Sequence, residues 1–185
     1  LLRNPVLRWR SIVDLEDLKI KVSEAGAFIV SSFAGYFAEQ DMQAISKICR
    51  EAKCLIIEDA CGALGDEVLC NGLYSDVIIG SFGRWKVAEA GYGGWMSSNV
   101  NFKDKVREGL SMAKVHPKAY EQIFQALEKN KLAKLLDLQK KVKEDLKDFE
   151  VFHKDKRGVN VVVAYDEKVI AYCEEKEYEY VLCPK

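Results

Sequence analysis

The sequence predicts an α/β fold with a mostly parallel sheet. Two observations predict it. Short apolar runs rich in β-forming residues recur along the first half, and an amphipathic helical pattern lies between the first two of them.

The elements follow in order. Ala27-Phe28-Ile29-Val30-Ser31 is a short apolar run and reads as a buried strand. Across residues 41–53, Met42, Ile45, Ile48, Cys49 and Ala52 fall on one helical face. Asp41 stands at the N-terminal end, where the helix dipole favours an acid. Cys54-Leu55-Ile56-Ile57 follows as a second buried strand. Strand, helix and strand within this length make a βαβ unit, so the two strands are expected to be parallel.

Two more strands are expected at Val77-Ile78-Ile79-Gly80-Ser81-Phe82 and at Gly94-Trp95-Met96-Ser97-Ser98. The glycine-punctuated stretch between them, residues 83–93, holds one lysine, Lys86. Residues 118–148 form a long helical region with two stripes. One is Tyr120, Ile123, Phe124 and Leu127; the other runs from Leu132 through Leu135, Leu136, Leu138 and Val142 to Leu146. Asn130 marks a break between them. After the turn Asp155-Lys156-Arg157-Gly158, a strand is expected at 159–164, a helix at 167–174 and a strand at 178–182. The organisation is thus a core at 1–117, linking helices at 118–148 and a small α/β unit at 149–185. There is no internal repeat.

Composition excludes several classes. The chain has 185 residues, 49% apolar and 31% charged, as in a soluble globular protein. Its 28 basic and 29 acidic residues leave a net charge of −1, with no field favouring nucleic acid or an anionic membrane. Basic residues gather at 129–147, but acids interleave with them, as on a solvated helix face. No apolar run is long enough to span a bilayer, and the first residues lack the apolar core of a signal peptide. The six cysteines form no CxxC pair and the two histidines lie far from them, so no metal site is expected. Cys54 and Cys61 read as small buried hydrophobes, and the expected compartment is the reducing cytoplasm.

In open α/β sheets, ligands bind beyond the carboxyl ends of the strands. Asp59 sits at such an end, in Cys54-Leu55-Ile56-Ile57-Glu58-Asp59. An acid there needs a cationic partner if buried, but aspartate is also a favoured cap for a helix starting at Ala60, and position alone favours the cap. Lys86 lies just past another strand, after Ser81-Phe82-Gly83-Arg84-Trp85. A lysine attacks carbonyls when its site lowers its pKa, as burial beside Trp85 and near Arg84 would do. A lone lysine in a glycine-rich loop is otherwise a surface residue. There is no Walker pattern and no GxGxxG.

Together the two features carry a pattern. Glu58-Asp59-Ala60-Cys61-Gly62-Ala63-Leu64-Gly65 comes first, and Ser75-Asp76 next. Ser81-Phe82-Gly83-Arg84-Trp85-Lys86 and Gly91-Tyr92-Gly93-Gly94 complete the set. It resembles the DegT/DnrJ/StrS family of sugar aminotransferases that depend on pyridoxal 5'-phosphate (PLP). That family reads E-D-A-A-Q-A-x-G, G-D, S-F-x-x-x-K and G-E-G-G in the same order. Weaker similarity runs back through Asp41 and Gly35 to about Val13.

The resemblance implies part of a PLP-transferase type I large domain followed by the small C-terminal unit. It also implies roles. Lys86 would bind the cofactor covalently and shuttle a proton. Asp59 would pair with the pyridinium nitrogen, and Ser81 would donate a hydrogen bond to the cofactor phosphate. Ala60, Cys61 and Gly62 would lie near the ring, and Asp76 would be structural. The implied reaction moves an amino group from glutamate to a keto sugar carried on a nucleotide, in a homodimer.

Two positions depart from the pattern. Gly62 replaces a Gln or His near the cofactor's phenolic oxygen, and Tyr92 replaces the Glu of the last block. The family also has an earlier segment with a phosphate cup and a ring-stacking aromatic. Residues 1–14 match neither, Trp9 being the one aromatic there. The sequence therefore leaves two readings, an enzyme or a shortened, non-catalytic scaffold or regulatory relative. A sugar dehydratase is disfavoured, because such relatives replace the cofactor lysine.

Overall fold

The computed structural model describes residues 12–101, 103–112 and 116–182. It opens with helix α1 (Leu15–Lys21), whose first turn is capped by Asp14 through the N–H groups of Glu16 and Asp17, and a short 3-10 turn (Val22–Glu24). Strand β1 (Ala27–Ser31) leads to two two-residue strands, β2 (Phe33–Ala34) and β3 (Ala38–Glu39), which pair with each other. Helix α2 (Met42–Glu51) crosses back to β4 (Leu55–Asp59). Strands β5 (Val77–Ser81) and β6 (Gly94–Ser98) complete the sheet.

The sheet order is β1-β4-β5-β6. β1, β4 and β5 are parallel, and β1–α2–β4 is the expected βαβ unit. β6 runs antiparallel to β5. That pairing is close: the Trp95 indole covers Gly80, where an added Cβ would stand 2.4 Å from Nε1. The backbone must be bare at 80 for β6 to seat its tryptophan.

Met42, Ile45, Ile48 and Cys49 of α2 are all buried, as their spacing predicts, and meet Leu18, Val22, Val30 and Ile56 in one core. Burying side chains such as Ile45 and Ile56 stabilises the fold by about 2 kcal/mol each. Within β4, Ile56 and Glu58 point into the interior and alternate with more exposed neighbours. The Glu58 carboxylate is tolerated there because the Cys70 N–H and the Ser75 hydroxyl donate to it at 3.0 and 2.9 Å. Asp76 accepts from the Ile56 N–H at 2.8 Å, which fits its expected structural part.

The helices that follow are α3 (Lys103–Met112), α4 (Pro117–Glu128) and α5 (Leu132–Asp145). Asn130 makes the predicted break by working in two directions. Its carbonyl caps the Leu132 N–H at 2.8 Å, and its amide donates to the Leu64 carbonyl at 2.7 Å. Leu132, Leu135 and Leu136 then join the core.

The C-terminal part differs from expectation. Helix α6 (Glu167–Glu175) forms, but no strand forms at 159–164 or in the described part of 178–182. A single bridge between Val151 and Val163 remains. Strands need partners, and these segments use their N–H groups elsewhere. Val159 and Asn160 donate to the Tyr36 carbonyl, and Tyr178 donates to Cys173 at the end of α6. The unit is helix and docked loop rather than α/β.

Candidate cofactor site

The parallel strands end together, and the expected residues lie at those ends. Asp59 is the last residue of β4 and Ser81 the last of β5. The end of β4 is pinned on both sides: Ser32 N–H donates to the Asp59 carbonyl at 3.2 Å and Ala60 N–H to the Ile79 carbonyl at 2.9 Å. Asp59 Oδ1 accepts from the Cys61 N–H at 3.0 Å. This is an Asx turn; residues 61–65 form turns, so no helix begins at Ala60 and the capping alternative does not apply.

The loop that carries Lys86 has a fixed base. Phe82 N–H donates to the Gly93 carbonyl and Ala90 N–H to the Phe82 carbonyl, while Lys131 N–H donates to the Val87 carbonyl. Val87 and Ala88 are buried. Trp85 has φ +64, a strained value for a bulky residue. Its side chain is 91% exposed, so it does not bury Lys86.

Lys86 turns the other way and donates a hydrogen bond to the Tyr36 hydroxyl at 2.5 Å. The amine is 4.9 Å from the centroid of the Tyr36 ring, which places it beyond the hydroxyl end rather than against the face. The Tyr36 hydrogen bond holds the amine above its ordinary pKa, against a half-burial that pulls it down. The Tyr36, Cys61 and Asp59 charges add to the rise. The expected depression by Trp85 and Arg84 is thereby reversed.

Cys61 ties the cluster together. Burial pushes its thiol up to about 11, and hydrogen bonding to Asp59 and the charge of that carboxylate add to the rise. The Lys86 ammonium and the Ser81 N–H act in the opposite direction. Cys61 thus neighbours Asp59, Ser81 and Lys86. The Ser81 hydroxyl accepts from the Gly83 N–H at 3.0 Å and keeps its own proton to donate. Ala60 is fully buried and backs the site from the core. Gly62 is also buried, beneath the Tyr36 ring.

The family pattern of the DegT/DnrJ/EryC1/StrS aminotransferases matches residues 10–144. The chain belongs to this family. Among curated proteins, no sequence matches it. Solved structures share its fold. Serine palmitoyltransferase from S. paucimobilis with a bound PLP-myriocin aldimine has a TM-score of 0.63 at 16% identity, covering 85% of this chain and 47% of that one. Alanine–glyoxylate aminotransferase from Nostoc sp. has 0.61 at 15%, covering 90% and 55%. Ornithine aminotransferase from Plasmodium yoelii has 0.58 at 20%, covering 89% and 50%. The fold is thus a partial PLP type I α/β domain, and the chain spans about half the length of these proteins.

Asp59 ends β4 and Lys86 follows the end of β5, so both lie on the carboxyl side of the sheet. The residue that sequence reasoning missed is Tyr36. Its one local signal is the preceding Gly35, which shares its positive φ. A groove of about 630 Å³ lies elsewhere, along α5. Lys140, Lys143 and Lys154 line it against Asp137, Glu144 and Asp155, and it shares no residue with the Lys86 cluster. No metal cluster occurs among the described residues, and no described helix is long and apolar enough to cross a membrane.

Proposed function

We propose that this chain is the cofactor-lysine part of a PLP-dependent aminotransferase that moves an amino group from glutamate to a keto nucleotide-sugar. One observation carries the reading: Asp59 and Ser81 end neighbouring parallel strands, and Lys86 stands in the loop that leaves the second of them. The donor set fits pyridoxal phosphate. A carboxylate suits a protonated ring nitrogen, an amine suits an aldehyde, and the Ser81 hydroxyl suits a phosphate oxygen. Bound there, the cofactor supplies an electron sink for the substrate carbanion.

The chain's own residues do the rest. Asp59 keeps the proton on the ring nitrogen by placing a negative charge beside it. Lys86 holds the cofactor and, once released, carries a proton to and from the substrate carbon. Ser81 fixes the phosphate end. Cys61 adds a thiol that stays neutral near pH 7, because burial and Asp59 push its pKa up to about 11. The protein is read as a homodimer in the cytoplasm, in keeping with its family and with free thiols at all five described cysteines.

A second reading has one observation in its favour. Tyr36 already occupies the polar side of Lys86 and holds it as an ammonium, as a non-catalytic scaffold would tolerate. Incubating the purified protein with PLP and then with glutamate separates the two. Conversion of the lysine-bound cofactor's visible absorption to that of the aminated form supports the enzyme. Cofactor binding without conversion, or no binding, supports the scaffold.

A further inference from the structure

A tyrosine in the left-handed region needs surroundings that keep it there. Tyr36 has φ +66. Its carbonyl accepts two hydrogen bonds, from the Val159 N–H at 2.7 Å and the Asn160 N–H at 3.0 Å. Gly158 lies so close to this turn that an added Cβ would stand 2.5 Å from the Phe37 carbonyl carbon. Arg157 binds Glu39 on one side and Asp66 on the other. Residues 157–160, beyond the stretch that the family pattern matches, thus fasten the turn from outside.

On the inner side, the Tyr36 ring lies across Gly62. A Cβ at position 62 would stand 2.8 Å from Tyr36 Cδ1 and 3.1 Å from Cε1. The ring fits because position 62 carries no side chain, and the hydroxyl then meets Lys86 Nζ.

We propose that Tyr36 is a positioning residue for Lys86, its ring seated over Gly62 and its hydroxyl fixing where the amine stands. The purpose of that contact rests on reading Lys86 as the cofactor lysine; the contact itself does not. The charged and titratable groups facing Lys86 are Tyr36 from the β2–β3 turn and Cys61 and Asp59 from the end of β4. Without the phenolic oxygen, burial and the Asp59 and Cys61 groups alone set the protonation of the amine.

The test compares acylation of Lys86 by acetic anhydride in the cofactor-free wild type, Tyr36→Phe and Gly62→Ala, read by mass spectrometry of the Lys86 peptide over roughly pH 7–11. Tyr36→Phe keeps the ring and should lower the midpoint by about half a unit or more, making acylation about threefold faster below the midpoint. Gly62→Ala keeps the hydroxyl but displaces the ring, and should move the profile in the same direction. Superimposable profiles in folded proteins overturn the proposal, since a merely structural tyrosine would leave the amine's titration alone. Either variant suffices if the other fails to fold. PLP uptake at Lys86 is scored in parallel. A shifted profile without uptake sinks the cofactor reading and keeps Tyr36 in its place; uptake without a shift does the reverse.

Discussion

The Lys86 amine donates to the hydroxyl of Tyr36, a residue 50 positions earlier in the chain. The bond makes this lysine a better proton holder than a free one, although half-burial alone would make it a worse one. On the proposed function, the Tyr36 contact would have to yield, or the proton be passed on, before Lys86 could bond to an aldehyde.

A pH dependence follows. Only the neutral amine attacks a carbonyl, and the folded protein raises the pKa of Lys86 above the ordinary 10.5. The initial rate of PLP attachment should climb across about pH 7–10 without levelling, by about tenfold per unit. A plateau reached near neutrality, followed by rapid mixing, would mean that the amine is already unprotonated.

Cys61 reports on its neighbours. Its thiol stands at about 11, raised by burial and by Asp59 and lowered by Lys86. Asp59→Asn should therefore speed alkylation of Cys61 by iodoacetamide near pH 8, and Lys86→Ala should slow it, each by about threefold or more. Peptide mapping reads both effects. Alkylation rates that ignore either substitution would show that these side chains do not share one site.

Arg157 joins the C-terminal loop to the core. It donates to Glu39 at 2.6 and 2.9 Å and to Asp66 at 2.8 and 3.3 Å, and the Asp66 side chain is 3% exposed. Arg157→Ala should cost about 2–4 kcal/mol, less than a fully buried pair because the arginine is partly solvated. Burial pushes the Asp66 carboxyl up, but Arg157 and the Leu69 and Val68 N–H groups outweigh it and hold it below its ordinary 3.8. A carboxyl lowered in the folded state contributes stability that is whole above its unfolded value and lost as pH falls through the folded value. Urea melts below pH 4 should thus show an acid loss that is smaller in the Arg157→Ala variant.

Asp59 carries the electrostatic part of the proposed reaction. Asp59→Asn should leave the fold intact, because the amide oxygen can still accept the Cys61 N–H. Half-transamination with glutamate should fall by about two orders of magnitude or more. Turnover close to wild type would remove Asp59 from its place beside the ring nitrogen.

Sequence periodicity made α2, α5 and the four-strand sheet legible because their hydrophobic faces are local patterns. Asn130 was legible as a break for the same reason, since a cap acts within two residues. The expectation of a site rested on the order and spacing of Asp59, Ser81 and Lys86. Tyr36 left no such trace: it reaches Lys86 through a strained turn held by residues more than a hundred positions away. The strands expected at 159–164 and 178–182 failed for a related reason. Their composition suits a strand, but Val159 and Asn160 spend their N–H groups on Tyr36, and Val181 and Leu182 lie exposed with no neighbouring strand.

The most direct test treats the purified protein with PLP, reduces it with borohydride and maps the phosphopyridoxyl group by mass spectrometry. The account predicts one labelled peptide, carrying the group on Lys86, and loss of that label and of the visible absorption band in Lys86→Ala. Labelling spread over surface lysines, or a band that survives in Lys86→Ala, would contradict it.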